Sequence, residues 1–397
     1  MISGRMTSPI TRTVWIVSLI SLFTDVASEM LYPVMPIYLQ TIGFSVFYIG
    51  ILEGLAEATA GLSKGYFGRL SDATAKRVPF VRVGYFLSAV AKPLIVLTIN
   101  PVWVFLCRTA DRLGKGVRTG ARDAMLSAET DAANKGKVFG LHRGMDTLGA
   151  AIGPALALGY LALFPHAYRN LFLFALVPGL IAVLLTFFLK DKTGKSIERP
   201  KVSFLDFFRY YQSAPRAYRT TVMGLLLFTL FNSSDVFLLL IMKQHGFTDV
   251  QTIGVYIFYN LVYAAASYPM GKLGDAMGLR RTFIGGLILF TAVYAGAAVT
   301  TDLRIYIGLF FLYGLYAAMT EGISKAWISN LCEQKDTATA IGTHAAFSSV
   351  ATMLASVIAG IVWQLTTPGM TFLVAAAGGA LSIGYFLLLR PSPAESR

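Results

Sequence analysis

Charged residues are scarce in this chain of 397 residues. Asp, Glu, Lys and Arg make up 14% of it, whereas 55% of its residues are hydrophobic. Soluble domains usually carry about 25% charged residues, so the composition argues against a soluble protein and indicates lipid as the surrounding solvent. Cysteine is scarce too, because Cys107 and Cys332 are the only two. Two cysteines among apolar residues do not form a disulfide framework.

Polar interruptions of the apolar sequence are few and short. The four that lipid cannot accommodate are residues 71–79, 130–137, 190–218 and 274–281. The apolar segments between them run for roughly 20 to 26 residues, the length that a membrane-spanning helix needs. The pattern predicts an all-α integral membrane protein with twelve spans, at 14–40, 46–67, 80–99, 102–126, 138–163, 168–189, 219–243, 249–271, 282–300, 303–329, 339–365 and 370–390.

Motifs for catalysis or nucleotide binding are also missing from the sequence. No metal-binding cluster or nucleophile constellation stands out, and the single Gly-Lys-Ser, at Gly194, has Leu189 where a phosphate loop needs a glycine. We therefore expect neither an enzyme nor an ATP-driven pump, and no cofactor or metal. A membrane enzyme or sensor is the alternative with least support.

The basic residues, which give a net charge of +13, lie almost entirely on one side of the predicted spans. They occupy the even-numbered loops, the central loop and both ends, among them Lys76, Lys135 and Arg281. The positive-inside rule then places both termini in the cytoplasm, with the chain in the cytoplasmic (inner) membrane. We expect lipid headgroups and not nucleic acid as the anionic partners, and a monomer.

The sequence repeats itself. A shift of 203 positions superimposes Gly43-Phe44 on Gly246-Phe247 and Asp72 on Asp275. The repeat predicts an N-terminal six-helix bundle at 1–189, a cytoplasmic linker at 190–218 and a C-terminal six-helix bundle at 219–397. Such parallel repeats are related by an axis along the membrane normal, with a substrate site between them near the midplane.

Two loops at the repeat offset share a pattern. Residues 68–77 read Gly-Arg-Leu-Ser-Asp-Ala-Thr-Ala-Lys-Arg, and residues 271–281 read Gly-Lys-Leu-Gly-Asp-Ala-Met-Gly-Leu-Arg-Arg. Both resemble the cytoplasmic signature loop of the major facilitator superfamily, although the first lacks a glycine after its aspartate. The resemblance covers the whole chain and implies transport by alternating access. It predicts a conformational gate at Gly68, Asp72, Arg77, Gly271, Asp275 and Arg280, in which glycines allow close helix approach.

The fifth span carries a second family-like pattern. Gly140, Gly149, Gly153 and Pro154 are similar to the antiporter motif of the superfamily's drug exporters, with Ala157-Leu158 in place of its closing glycines. The resemblance implies export in exchange for protons. Small residues and a proline also predict a kinked, tightly packed helix, so Gly149, Gly153 and Pro154 join the predicted gate. Packing glycines without a transport role are the alternative.

Acidic residues inside the spans predict proton coupling, because charges at membrane depth are costly unless they serve a function. The first two spans each hold two carboxylates four residues apart, on one helical face, which can share a proton. Arg112 with Gly116 resembles the superfamily's fourth-helix signature, whose arginine is associated with proton coupling. The predicted coupling residues are Asp25, Glu29, Glu53, Glu57, Arg112 and Asp146. Salt bridges that only hold the bundle together are the alternative.

The remaining polar residues in the spans predict a substrate site. They are Arg108, Asp111, Lys115, Asn232, Asp235, Tyr256, Tyr259, Asn260, Glu321 and Lys325. Arg108 and Lys115 favour an anionic solute, whereas the tyrosines are also typical of the interfacial belt. Two functions remain: proton antiport that exports a small organic, possibly anionic, compound, and proton symport that imports an organic anion or metal chelate.

Overall fold

A computed structural model describes residues 10–32, 34–44, 46–191, 203 and 206–389, and within them the chain is helical and has no strand. The α-helices are α1 (Arg12–Leu31), α2 (Met35–Thr41), α3 (Val46–Thr74), α4 (Val78–Leu94), α5 (Pro101–Ser127), α6 (Lys135–Leu163), α7 (Tyr168–Phe174), α8 (Leu176–Thr186), α9 (Asp206–Ser213), α10 (Arg216–Thr229), α11 (Val236–Gln244), α12 (Asp249–Met277), α13 (Leu279–Ala297), α14 (Leu303–Asn330), α15 (Thr337–Leu365) and α16 (Pro368–Leu388).

These helices make the predicted twelve-helix membrane fold of two six-helix bundles. Among the described residues, seven helical stretches are long and apolar enough to cross a membrane by themselves, at Arg12–Leu31, Val78–Leu97, Ala132–Leu163, Tyr168–Thr186, Leu303–Asn330, Gln334–Leu365 and Pro368–Leu388. Of the other spans, α5 carries many charges and the seventh is interrupted between α10 and α11. Large apolar side chains such as Leu106, Leu184 and Leu388 lie exposed on the outside, where lipid would cover them.

The first and seventh spans are broken, although the sequence pattern predicted continuous helices at 14–40 and 219–243. One break separates α1 from α2, where the sequence has prolines at 33 and 36, which lack an amide hydrogen. The other separates α10 from α11 at Leu230–Asp235, where Asn232, Ser233 and Ser234 compete for backbone hydrogen bonds. Discontinuous helices of this kind form the binding sites of many transporters.

The helices follow the sequence repeat. α3 begins at Val46 and α12 at Asp249, an offset of 203 residues, and both run for 29 residues. The turns before them contain Gly43 at φ 96° and Gly246 at φ 84°, a backbone conformation that glycine adopts without strain. The bundle boundaries at 189 and 219 stay a prediction.

Candidate functional site: a charged cavity above a closed gate

A cavity of about 370 Å³ lies at the centre of the structure, between α1, α5 and α6 of the first bundle and α12 and α14 of the second. Its wall carries more positive than negative side chains. Seven cationic and five acidic residues line it, namely Lys64, Arg112, Lys115, Arg118, Arg122, Arg143, Lys325 and Asp25, Glu29, Asp111, Asp146, Asp235. An excess of fixed cations in a low-dielectric setting favours an anionic occupant.

Asp25 on α1 and Asp146 on α6 form the acidic centre of this cavity. Their carboxyl groups are close enough to share a hydrogen bond. Two neighbouring buried carboxyls hold one proton between them, because ionising both in low dielectric is costly. Asp146 also accepts from Ser21 Oγ at 2.7 Å and pairs with Arg143 at 2.6 Å. The sequence predicted that Asp25 shares a proton with Glu29. In the structure Asp25 instead shares a hydrogen bond with Asp146, which lies more than a hundred residues away on α6.

Arg143 joins the two bundles at the cavity wall. Its Nε donates to the Tyr263 hydroxyl at 2.5 Å, and its NH2 lies 3.7 Å from a carboxylate oxygen of Glu321. Both partners belong to the C-terminal helices α12 and α14, whereas Asp146, its other partner, is on its own helix. Arg143 therefore connects the Asp25–Asp146 pair directly to the opposite bundle.

Lys115 extends from the middle of α5 into the cavity. Its charge acts on Asp25 and Glu29, and Arg112 also acts on Glu29. No salt bridge joins the Lys115 ammonium to a carboxylate among the described side chains. A cation at membrane depth with no direct counter-ion is a ready partner for an anionic ligand.

Arg108 and Asp111 have a different setting from Lys115. Asp111 is buried and pairs with Lys92 of α4 at 2.8 Å and with Arg108 at 3.3 Å. Lys92 also donates to Ser88 O at 2.9 Å and is only 3% exposed. This group connects α4 to α5. Of the two predicted substrate residues, Asp111 lines the cavity and Arg108 does not.

The C-terminal side of the cavity is aromatic and hydroxylated. Asp235, at the break between α10 and α11, accepts from the Tyr313 hydroxyl at 2.6 Å. Tyr256, Tyr259 and Asn260 of α12 line the same wall, and the Tyr259 ring lies 5.9 Å from that of Tyr256. The predicted residues of the second bundle therefore meet those of the first across the cavity, apart from Asn232 and Glu321, which line a smaller neighbouring space.

The floor of the cavity is an ion pair between the bundles. Asp123 of α5 is fully buried and lies 3.0 Å from Lys325 of α14 and 2.9 Å from Arg122. Removing one partner of such a buried pair is strongly destabilising, because it leaves a desolvated charge. The pair closes the cavity on the side toward the two signature loops.

The two signature loops lie below this floor, at an end of the structure that we call the signature-loop face. Each loop aspartate caps a helix of the opposite bundle. Asp72 accepts from the backbone and hydroxyl of Thr339, at the start of α15, at 2.7 and 2.8 Å. Asp275 accepts from the backbone nitrogens of Gly136 and Lys137, at the start of α6, at 2.7 and 2.8 Å. Carboxylates are favourable at helix N-termini.

Burial of the two loop aspartates shifts their pKa values in the opposite direction to these contacts. It raises the pKa of Asp72 to about 6, against the lowering effect of Arg77, which lies 3.3 Å away, and of the Thr339 hydrogen bonds. Burial likewise raises the pKa of Asp275 to about 6, despite the hydrogen bonds from Lys137 and Gly136. The pKa values of both carboxyls would return to the ordinary range on exposure, so opening this face is linked to proton release.

Glycines bring the helices of the two bundles into backbone contact at this face. A Cβ added to Gly68 would overlap Ala338 O of α15, and one added to Gly271 would overlap Gly136 O of α6. Gly149 and Gly153, in contrast, pack against α1, where a Cβ at Gly149 would lie 3.0 Å from Asp25 Cβ. Pro154 lies inside α6 one residue further on.

Some predicted site residues lie away from the cavity and the gate, or have side chains outside the described residues. Arg280 donates to carbonyl groups at the end of α16, including Leu387 O at 3.4 Å. Glu53 and Glu57 fall on α3, but their side chains lie outside the described residues. Sequence reasoning missed Lys92, and it grouped Tyr263 with the polar and aromatic residues suited to substrate contacts without foreseeing its hydrogen bond to Arg143. A lysine before Pro93 in an apolar span was a usable signal, whereas one tyrosine among many was not.

A charged cavity at the centre of twelve membrane helices, closed at one face, defines a membrane transporter of small solutes, not an enzyme. The chain belongs to the Major Facilitator Superfamily, whose family model matches residues 17–261 and 223–397. An uncharacterised MFS-type transporter of Methanocaldococcus jannaschii is 31% identical, covering 96% of this chain and 94% of the relative.

Two further proteins show how broadly this architecture is shared. The staphyloferrin B transporter of Staphylococcus aureus is 24% identical, covering 94% of this chain and 90% of its own length. The crystal structure of the human organic anion transporter MFSD10 superimposes with a TM-score of 0.82 at 16% identity, covering 96% of this chain and all of that one. At that identity the likeness concerns the fold.

Proposed function

We propose that this chain is a proton-coupled secondary transporter that exports a small organic anion by antiport. The observation that carries the proposal is that the Asp25–Asp146 carboxyl pair, which can bind one proton, lines the same cavity as Lys115. Proton and cargo therefore occupy one site. The positive-inside distribution supports an inner-membrane protein with the signature-loop face in the cytoplasm.

The cationic wall supports an anionic cargo. Lys115 and Arg112 approach the cavity from one helix, with Arg143 opposite, so a carboxylate can bind two of them at once. Charge-assisted hydrogen bonds of this kind are about twice as strong as neutral ones. The name of one similar protein agrees, since it is a staphyloferrin B transporter.

The contact between α6 and α1 supports antiport. Gly149 and Gly153, in the segment similar to the antiporter motif, lie against the backbone of α1 around Asp25. A change in the charge of Asp25 thus acts on the helix that closes against α12 at the signature-loop face. Exchange of a proton for cargo at this pair would drive alternating access.

Lys115 favours a second candidate, import by proton symport. Glu29 and Asp25 share the field of this ammonium. Protonating either acid would remove a negative charge from the field around Lys115 and so strengthen its attraction for an anion, and proton and anion would bind cooperatively. The two candidates differ in the direction in which protons move with respect to the cargo.

Proteoliposomes containing an internal pH dye would distinguish the two functions. Under an imposed proton gradient, a series of di- and tricarboxylates would be added on each side. Proton flux opposite to cargo supports antiport, flux with cargo supports symport, and no cargo-dependent flux for any anion contradicts both.

Two variants test the residues. Asp25→Asn is expected to abolish proton-coupled flux while cargo–cargo exchange continues, and Lys115→Gln to weaken anion binding at least tenfold. Lys335→Gln is the matched control, because this lysine is exposed at the signature-loop face and pairs only with Glu333 among the described residues.

A further inference from the structure

A second cavity, of about 160 Å³, lies inside the C-terminal bundle beside the central one. We call it the lateral chamber. Its polar lining comes from the end of α10 and from α14 and α15, and comprises Thr229, Asn232, Tyr316, Thr320, Glu321, Ser324, His344, Ser348 and Thr352. Such a volume accommodates a functional group of a few heavy atoms or several water molecules.

Several groups that line the lateral chamber are hydrogen-bond acceptors. The hydroxyls of Thr229 and Thr320 donate to carbonyls of their own helices at 2.8 and 2.9 Å, so they present lone pairs to the chamber. The buried Oδ1 of Asn232 has no hydrogen-bond partner among the described residues. Glu321 adds a carboxylate, and its nearest cation is Arg143, at 3.7 Å.

The central cavity has the opposite character. Its lining is rich in cationic donors, with Lys115, Arg112 and Arg143 around the site proposed for the cargo's carboxylate. The two spaces meet at Glu321, whose carboxylate faces Arg143, while Lys325, one turn along α14, lines the central cavity. A ligand that spans the Arg143–Glu321 contact would therefore meet cationic donors in one space and acceptors in the other.

We propose that the lateral chamber is a second subsite, which binds a hydrogen-bond-donating group, ammonium or hydroxyl, of the cargo whose carboxylate lies in the central cavity. The carboxylate part rests on the proposed function, whereas the donor part rests on the chamber itself. The substrate class is then an amino- or hydroxycarboxylate. A plain carboxylate would leave Asn232 and Glu321 facing water or an unpaired ligand surface.

The test uses the full chain in lipid nanodiscs and calorimetric titration with matched ligands. Glutamate and glutarate differ by one amine, citrate and tricarballylate by one hydroxyl, and 1,3-diaminopropane has donors without a carboxylate. The wild type is expected to bind glutamate and citrate at least about tenfold more tightly than their partners, the effect of one hydrogen bond to a charged group. Equal affinities within both pairs, together with no binding of the diamine, would overturn the proposal.

Two variants distinguish recognition of the donor group from a general loss of ligand binding. Glu321→Gln is expected to remove the preference for glutamate without weakening glutarate, because Arg143 stays in place, and the near-isosteric Thr320→Val to reduce the preference for citrate. Ser382→Ala is the control, since this buried hydroxyl bonds within α16 and lines neither cavity. If Glu321→Gln weakens glutamate and glutarate equally, the subsite assignment is wrong.

The diamine distinguishes failure of this proposal from failure of the proposed function. Binding of 1,3-diaminopropane that depends on Glu321, without binding of any carboxylate, would support the lateral chamber and refute organic anion transport. Binding of all four carboxylates with no preference in either pair would support anion transport and refute the chamber.

Discussion

Replacing Gly140 by alanine is expected to separate α6 from α12 at the signature-loop face. The added Cβ would lie 2.5 Å from Ser267 O and 3.2 Å from the Cα of Gly271. Ordinary contact begins near 3.4 Å, so the two backbones must move apart by roughly 0.9 Å in the rigid, close-packed interior. The nearest neighbours are backbone atoms, which cannot rotate away as a side chain would.

Overpacking of this kind costs about 1–3 kcal/mol, and the cost falls on the closed state alone because opening removes the contact. The ratio of closed to open molecules should therefore decrease by roughly 5- to 150-fold. Gly159→Ala is the matched control on the same helix, since a Cβ there meets nothing within 4 Å.

The assay is a distance measurement between spin labels at positions 76 and 335, in a background with Cys107 and Cys332 replaced by serine. Lys76 and Lys335 are exposed at the signature-loop face. Gly140→Ala should shift the distance distribution toward longer values, and Gly159→Ala should match the parent. If both variants match the parent, backbone contact between α6 and α12 does not hold this face closed.

Three further predictions concern the same face. Asp72 has a pKa of about 6 when buried and an ordinary value of 3.8 when exposed, so closing takes up a proton. Acidification from pH 7.5 to 5 should therefore favour the closed state by about tenfold through Asp72 and by a similar factor through Asp275, whose pKa is also about 6. The same spin-label distances measure this, and Asp72→Asn should remove the factor that Asp72 contributes. Lys325→Met leaves the buried Asp123 with one cation fewer and should favour opening of this face, by about ten- to a hundredfold. Adding Asp123→Asn should restore part of the lost closed-state population, which a double-mutant cycle would measure. Phe207→Ala removes a buried ring that fills the space beside Gly65, so α9 should pack less tightly. Trypsin should then cut faster at Arg209, which is exposed. An unchanged cleavage rate would contradict a packing role for α9.

The sequence was informative wherever a charge had to lie in an apolar segment. Lys115, Arg112, Asp25 and Asp146 were identified because lipid does not tolerate them without a function, and all four line the central cavity.

The pairing of these charges could not be predicted. Local spacing suggested that Asp25 and Glu29 act together, but the contact between Asp25 and Asp146 depends on how α1 crosses α6, which one sequence does not specify. The same holds for Asp111, whose partner Lys92 lies on another helix. The breaks in the first and seventh spans were missed because the apolar run continues through them, although the prolines and the Asn-Ser-Ser segment were visible.

The reciprocal caps at the signature-loop face have an evolutionary consequence. Asp72 of the first bundle binds the start of α15, and Asp275 of the second binds the start of α6, the corresponding helix. Such an exchange is what a two-fold symmetric dimer makes when the same patch meets itself. An unfused six-helix ancestor could thus have closed this face by pairing with a second copy of itself, before gene duplication and fusion allowed the two halves of the cavity to acquire opposite chemistry.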